Sequence, residues 1–277
     1  MIRFAASVMA AGVVLAGCAQ APTESTPSAS GKQAAAPIAP SGSPAAAAEG
    51  PKKPDSPQDP SQLPVGSLYK NPSNDRNEII LADIRHTVVL IGDSQSEPMG
   101  SWPRVALGSL GYKVYSVARG GTGYVAATKA SGNYIDALQR GDWVLPYGTP
   151  PLIVLEGGGN DASHDASDGQ ITANANRLLA ALKKRYPQAK IAMIGTLARG
   201  ASAGGGRRTQ VDALLGDIAA KAGAPFFSVG DWISKYQVAG DLVDGVHLNA
   251  AGHAKLGAVL AADMAEAGLR LQPDPAS

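Results

Sequence analysis

The chain has 277 residues, a net charge of +1 and 17% charged residues. So balanced a charge excludes the basic surface of a nucleic-acid-binding protein or of a polybasic membrane-binding one. With 5% aromatic residues, an extensive stacking surface for bases or sugars is also excluded. The lone cysteine, Cys18, rules out an internal disulfide, and no Cys/His cluster has zinc spacing, so we predict no metal site.

The N-terminal segment, residues 1–18, has the features of an export signal. One positive charge, on Arg3, precedes an apolar stretch that is too short to span a membrane comfortably. The segment ends in Leu-Ala-Gly-Cys, which resembles the bacterial lipobox, where cleavage precedes a lipid-modified cysteine. We therefore expect Cys18 to be lipidated and to anchor the protein at the bacterial membrane, facing the periplasm or cell wall. The alternative is an ordinary signal peptide with a chance cysteine.

Residues 19–76 are rich in proline, alanine, serine and glycine and hold few large apolar residues. Eleven of the 20 prolines of the chain lie between Pro22 and Pro72. Such a segment cannot bury enough surface to offset its ordering entropy, so we predict a disordered tether. The remainder is predicted to form one folded domain over residues 77–270, followed by a tail over 271–277.

Apolar runs alternate with amphipathic segments along the predicted domain. This order predicts an α/β domain with a parallel sheet and helices on both faces. The predicted strands are 87–91, 113–117, 152–156, 190–195 and 225–229, and the predicted helices are 102–110, 134–139, 171–185, 209–221 and 250–267.

Chemically capable side chains follow several of these strands. Gly92-Asp93-Ser94 ends the first strand, a glycine turn at 120–123 follows the second, and Asn160 follows the third. Asp244-Gly245-Val246-His247 precedes the last helix. Because the loops after parallel strands lie on one edge of a sheet, we expect these four segments to meet.

The residue types in these segments suit nucleophilic catalysis. Ser94 can supply the hydroxyl, His247 the base and Asp244 the group that orients the base. Backbone N–H groups of Ser94 and of the glycine turn, together with the Asn160 amide, can donate to an oxyanion. All are neutral donors, which suits an anion that exists only in the transition state.

The four segments, the third taken as Gly158-Gly159-Asn160-Asp161, resemble the four sequence blocks of the SGNH (GDSL-type) hydrolase family, in the family's order. The resemblance covers essentially the whole predicted domain. It implies a three-layer α/β/α flavodoxin-like fold with a parallel central sheet, and a serine esterase without a cofactor. The resemblance also implies that Ser94 is the nucleophile, His247 the base and Asp244 the partner of that base.

Two positions depart from the family pattern. The second block lacks the asparagine of Asn-x-Gly-x-x-Gly; we assign its oxyanion donor to Gly123, with Gly121 as the alternative, beside Ser94 and Asn160. Many relatives carry leucine where this chain has Gln95. This difference weakens inference of the substrate from those relatives, but not inference of the catalytic mechanism. We further expect Asp93 to brace the turn below Ser94.

We predict a serine esterase that hydrolyses an acyl ester of the bacterial envelope, an acylated glycan or lipid, through an acyl-enzyme. One alternative is an acyltransferase that uses the same three residues, and another is a non-catalytic envelope-binding module, against which the intact Ser-His-Asp set argues. The loop at 198–208 is either a mobile surface loop or a lid whose arginines contact an anionic or sugar-bearing substrate.

Overall fold

The computed structural model describes residues 59–273, which form eight strands and seven α-helices. Strands and helices alternate through most of this part of the chain, as predicted. The strands are β1 (Leu68–Asn71), β2 (Arg76–Ile79), β3 (Thr87–Ile91), β4 (Lys113–Ser116), β5 (Leu145–Pro146), β6 (Leu152–Glu156), β7 (Lys190–Ile194) and β8 (Phe226–Phe227). The helices are α1 (Trp102–Ser109), α2 (Tyr134–Arg140), α3 (Gly159–Ser163), α4 (Asp168–Arg185), α5 (Gly206–Ala222), α6 (Trp232–Lys235) and α7 (Ala250–Glu266).

Five parallel strands form the central sheet in the order β4-β3-β6-β7-β8. This order is the flavodoxin-like one, in which the chain reverses direction across the sheet between β3 and β6. Within the sheet, Val89 of β3 lies opposite Tyr115 of β4 and Ile153 of β6. The crevice at such a reversal is where open α/β sheets bind ligands, and it lies between the exits toward Ser94 and Asn160.

Apolar side chains on both faces of the sheet explain why the central strands are continuous apolar runs. One face, with Val89 and Ile153, packs against α2, α4 and α5, and the other, with Val88 and Leu152, packs against α1, α6 and α7. All five residues of β3 and of β6 are buried. The three-layer α/β/α flavodoxin-like fold is confirmed.

The folded part begins earlier than the predicted boundary at residue 77. Strands β1 and β2 form an antiparallel hairpin that β5 extends, so the predicted tether is wrong at its C-terminal end. The hairpin is fixed by tertiary contacts: Tyr69 is buried, and buried Glu78 pairs with Arg185 of α4 at 2.6 Å. Cys18 and the rest of residues 1–58 lie outside the described residues, as do residues 274–277.

Helices α4 and α5 begin earlier in the chain than predicted. Ser167 and Gln170 form a capping box, so α4 begins at Asp168 rather than at Ile171. Helix α5 begins at Gly206, which places the two arginines at 207 and 208 in a helix instead of a loop. Among residues 59–273, none of the helices combines the length and apolarity that a membrane-spanning segment requires.

Candidate active site

His247 is hydrogen-bonded to Ser94 on one side and to Asp244 on the other, which is the order that a nucleophile, its base and the partner of the base require. Ser94 Oγ lies 2.8 Å from His247 Nε2, and His247 Nδ1 lies 2.7 Å from Asp244 Oδ2. With the ring proton on Nδ1, the imidazole donates to the carboxylate and Nε2 accepts the serine hydroxyl. The arrangement can therefore remove a proton from Ser94.

The loop before α7 positions the acid and the base together. Asp244 Oδ1 accepts the backbone N–H groups of Val246 at 2.9 Å and of His247 at 2.8 Å. Gly245 between them has a φ of +84°, a backbone conformation that residues other than glycine rarely adopt. The hydrogen bond from the His247 ring, followed by the two backbone bonds, lowers the pKa of Asp244 below its ordinary value. An ionised Asp244 thus fixes the orientation of the ring.

Gln95 connects the serine segment to the histidine loop, a role that the sequence analysis missed. Its Nε2 donates to the Val246 carbonyl at 2.9 Å, and its Oε1 accepts the Trp102 indole N–H at 3.3 Å. The backbone N–H of Trp102 in turn donates to Nδ1 of His253 at 3.2 Å. The position that departs from the family pattern therefore makes contacts that a leucine would not.

The second sequence block borders the site through Gly121, while the N–H of Gly123 has another acceptor. The prediction of Gly123 as oxyanion donor is wrong, because its N–H donates to the Ala126 carbonyl at 2.9 Å. The carboxylate of Asp161 also occupies the space beside its Cα, 2.5 Å from where a Cβ would lie. Gly121, our alternative, has a φ of +77° and lines the cavity beside Ser94.

Asn160 lies beside Ser94, as predicted. Its Nδ2 donates to the Thr122 carbonyl at 2.9 Å and lies 3.3 Å from Asp93 Oδ2. Gly158, with a φ of +97°, turns the chain out of β6 into α3 and so presents Asn160 at the exit of the strand. A side-chain amide and the backbone of Gly121 therefore border the same cavity as the nucleophile.

Asp161 braces the turn that contains the glycines, and the sequence analysis gave it no role. Its buried carboxylate accepts the backbone N–H groups of Tyr124, Val125 and Ala126 at 2.9, 2.7 and 2.8 Å. Three charge-assisted hydrogen bonds to one carboxylate hold the chain in a fixed curve. The signal in the sequence was an acidic residue directly after the strand-exit asparagine.

Two buried acids, Asp93 and Glu156, lie beneath Ser94. Asp93 Oδ1 accepts the Gln95 N–H at 2.8 Å, which confirms that Asp93 braces the turn. Burial raises the pKa of Asp93 to about 6, and burial next to Asp93 raises the pKa of Glu156 well above its ordinary value. The Ser96 hydroxyl lies 2.7 Å from Glu156 Oε2. Burial and the repulsion between the two carboxylates thus disfavour the ionisation of both acids at once.

The cavity in front of Ser94 has a volume of about 360 Å³. Most of the residues that line it have polar side chains, and Leu197 and Val246 are the aliphatic ones. Within residues 59–273, no group of three or more His, Cys, Asp or Glu side chains is placed to hold a metal ion. Further polar lining comes from Ser163, Thr196 and Arg208.

Comparison with solved structures shows the fold. Est24, a carbohydrate acetylesterase from Sinorhizobium meliloti, is 18% identical, with a TM-score of 0.50 over 66% of this chain and 100% of that chain. A family two carbohydrate esterase from Cellvibrio japonicus is 17% identical, with a TM-score of 0.53 over 68% of this chain and 62% of that chain. A carbohydrate esterase family 2 enzyme plus carbohydrate binding domain from Corynascus thermopiles is 19% identical, with a TM-score of 0.50 over 66% of each chain.

Comparison with protein families identifies the family of this chain as well as its fold. No curated protein matches this chain. The sequence model of the GDSL-like Lipase/Acylhydrolase family matches residues 90–255, more than half of the chain, and this range contains both Ser94 and His247. The prediction of a carboxylic ester hydrolase is confirmed at the level of the family. The chain therefore belongs to the GDSL-like lipase/acylhydrolase family of ester hydrolases.

Proposed function

We propose that the protein hydrolyses a short-chain acyl ester through Ser94, His247 and Asp244. The observation that supports this most is the pair of hydrogen bonds, 2.8 Å from Ser94 Oγ to His247 Nε2 and 2.7 Å from His247 Nδ1 to Asp244 Oδ2. Together they provide the nucleophile, the base and the group that holds the base.

The reaction proceeds in two halves. His247 Nε2 takes the proton of Ser94 while Oγ attacks the ester carbonyl. The oxyanion accepts hydrogen bonds from the N–H groups of Ser94 and Gly121 and from Asn160 Nδ2, which exchanges its long 3.3 Å contact with Asp93 for the oxyanion. Collapse of this intermediate releases the alcohol, which takes the proton from His247, and leaves the acyl group on Ser94. Water, deprotonated by His247, then attacks the acyl-enzyme and regenerates the serine.

The size and lining of the cavity support a short acyl group on a polar alcohol. A volume of about 360 Å³ lies at the small end of ligand sites, and two aliphatic side chains offer little surface to a long acyl chain. An acylated glycan fits this chemistry better than a long-chain lipid. Est24 and the Cellvibrio japonicus structure, which share the fold, are both described as carbohydrate esterases.

A fluorophosphonate probe, which reacts with activated serines, tests the mechanism in the purified full chain. We expect the label at Ser94 by peptide mapping, and its loss in Ser94→Ala and in His247→Ala. Ser163→Ala is the matched control, because Ser163 lines the same cavity with its hydroxyl bonded to the Gly159 carbonyl at 2.9 Å. Folded wild-type protein that takes no label, or that is labelled at another serine, contradicts the proposal.

We also propose that the enzyme works in the bacterial envelope, anchored through a lipid on Cys18. The support is the lipobox-like sequence that ends at this cysteine. Cells grown with a labelled fatty acid should incorporate it into the protein, and Cys18→Ser should abolish incorporation and shift the protein out of the membrane fraction. Equal membrane association of Cys18→Ser and wild type would refute the anchor.

A further inference from the structure

Arg208 borders the catalytic cavity together with Ser94, Asn160 and His247. It lies in the first turn of α5 and is partly buried. A guanidinium carries five N–H donors. Among the described residues, the hydrogen bond that Arg208 makes is a long one, 3.4 Å from Nη1 to the Leu197 carbonyl, and no carboxylate lies within ion-pair distance. Most of its donor capacity is therefore available to a ligand in the cavity.

The neighbouring arginine has a different environment. Arg207 Nη2 lies 2.7 Å from Asp168 Oδ1 and donates to the Ala166 carbonyl, also at 2.7 Å. These contacts attach the start of α5 to the start of α4, so Arg207 has a structural role. Of the two consecutive arginines, Arg207 thus connects two helices and Arg208 lines the cavity.

The acids near Arg208 do not supply the missing partner. The Asp93 carboxylate already accepts the Gln95 N–H and lies beside the Asn160 amide. Glu156 is hydrogen-bonded to Ser96, and burial favours its neutral form. The charge of Arg208 offsets part of the rise in the pKa of both acids, yet Arg208 forms no hydrogen bond or ion pair with either carboxylate. Among the described residues, the Nε and Nη2 donors of Arg208 have no hydrogen-bond acceptor, so this edge of the guanidinium can bind a carboxylate in bidentate fashion.

A second cavity adjoins the catalytic one and shares Arg208 with it. It has a volume of about 100 Å³ and shares Leu197, Arg208 and Val246 with the catalytic cavity. Arg199 and the glycines at 204 and 205 also line this second cavity. Two arginines, Arg199 and Arg208, thus line the cavity next to the catalytic one, whereas Asp93 and Glu156 line only the catalytic cavity.

We propose that Arg208, with Arg199 behind it, forms a subsite for a carboxylate carried by the ester substrate, on its acyl or its alcohol part. This inference rests on the proposed esterase function, and it narrows the substrate class to anionic esters. A carboxylate matches the bidentate geometry of a guanidinium, whereas a neutral sugar hydroxyl would leave the charge without a partner.

Two pairs of esters test the subsite and locate the anion. Mono-4-nitrophenyl succinate and its methyl ester differ by a carboxylate on the acyl part, and 4-acetoxybenzoate and its methyl ester differ by one on the alcohol part. For at least one pair, the ratio of kcat/KM for the anionic ester to that for the neutral ester should fall about 10-fold or more in Arg208→Gln, as expected for loss of a charged hydrogen bond. The pair that responds identifies the side that carries the anion.

Two further variants separate the explanations. Arg207→Gln should keep the wild-type ratio. Arg208→Lys, which retains the charge but lacks the planar guanidinium, should lower the ratio less than Arg208→Gln does. Arg208→Lys also replaces Arg208→Gln in the test if Arg208→Gln does not fold. A ratio that is the same in wild type and in the Arg208 variants for both pairs overturns the subsite while leaving esterase activity in place. Failure to hydrolyse any of the four esters, without labelling of Ser94, instead overturns the proposed function on which the subsite rests.

Discussion

Alanine at Ser94, at His247 or at both positions should lower kcat to the same floor, on the order of 10⁶-fold below wild type. The reason is that Ser94 Oγ attacks only while His247 Nε2, 2.8 Å away, accepts its proton. Once either partner is gone, removing the other costs almost nothing more, and the remaining rate comes from binding and the oxyanion donors. Steady-state hydrolysis of a 4-nitrophenyl ester by the two single variants and the double variant measures this.

The control for this set is His164→Ala. His164 is an exposed histidine that lies just after Asn160, at the end of α3, and it should retain wild-type kcat. A double variant whose loss equals the product of the two single losses would show that the serine and the histidine act independently, against the proposed roles.

Asp161→Ala should destabilise the domain by about 3 kcal/mol or more, since each buried donor left without a partner costs about 1–3 kcal/mol. The three donors are the N–H groups of Tyr124, Val125 and Ala126, all within 2.9 Å of the carboxylate. Urea denaturation followed by circular dichroism measures the free energy of unfolding. The same variant should lose catalytic activity under native conditions, because these bonds hold the turn that carries Gly121.

Asp217→Ala is the matched control, because Asp217 is an exposed acid on α5 and its replacement should stay within about 0.5 kcal/mol of wild type. A loss below about 1 kcal/mol in Asp161→Ala would mean that the three N–H groups find other partners, in water or in a rearranged turn.

The elements that could be predicted from sequence are those whose structure a local pattern of residues determines. The apolar residues of β3 and β6 are buried on both faces and end at turn-forming residues, so both strands could be delimited from sequence alone. The positions of Ser94 and Asn160 followed, because residues at the exits of adjacent parallel strands meet at one edge of the sheet.

The remaining features depend on partners distant in sequence. Gln95 bonds to Val246, 151 residues away, and the β1–β2 hairpin is held by a pair between Glu78 and Arg185. Whether Gly121 or Gly123 can donate to an oxyanion depends on which way a backbone N–H points, and the N–H of Gly123 points to the Ala126 carbonyl. No spacing of residue types encodes such directions.

Asp244 and His247 lie three residues apart in one loop, whereas Ser94 and His247 are separated by 153 residues. The acid–base half of the site is therefore preassembled by the loop itself, and a single long-range distance completes the machinery. Displacement of the loop would disconnect the site without dismantling it, because the ionised aspartate would keep the imidazole in its working tautomer. Inactivation by such a displacement would be reversible, since Asp244 and His247 would return to Ser94 still hydrogen-bonded to each other.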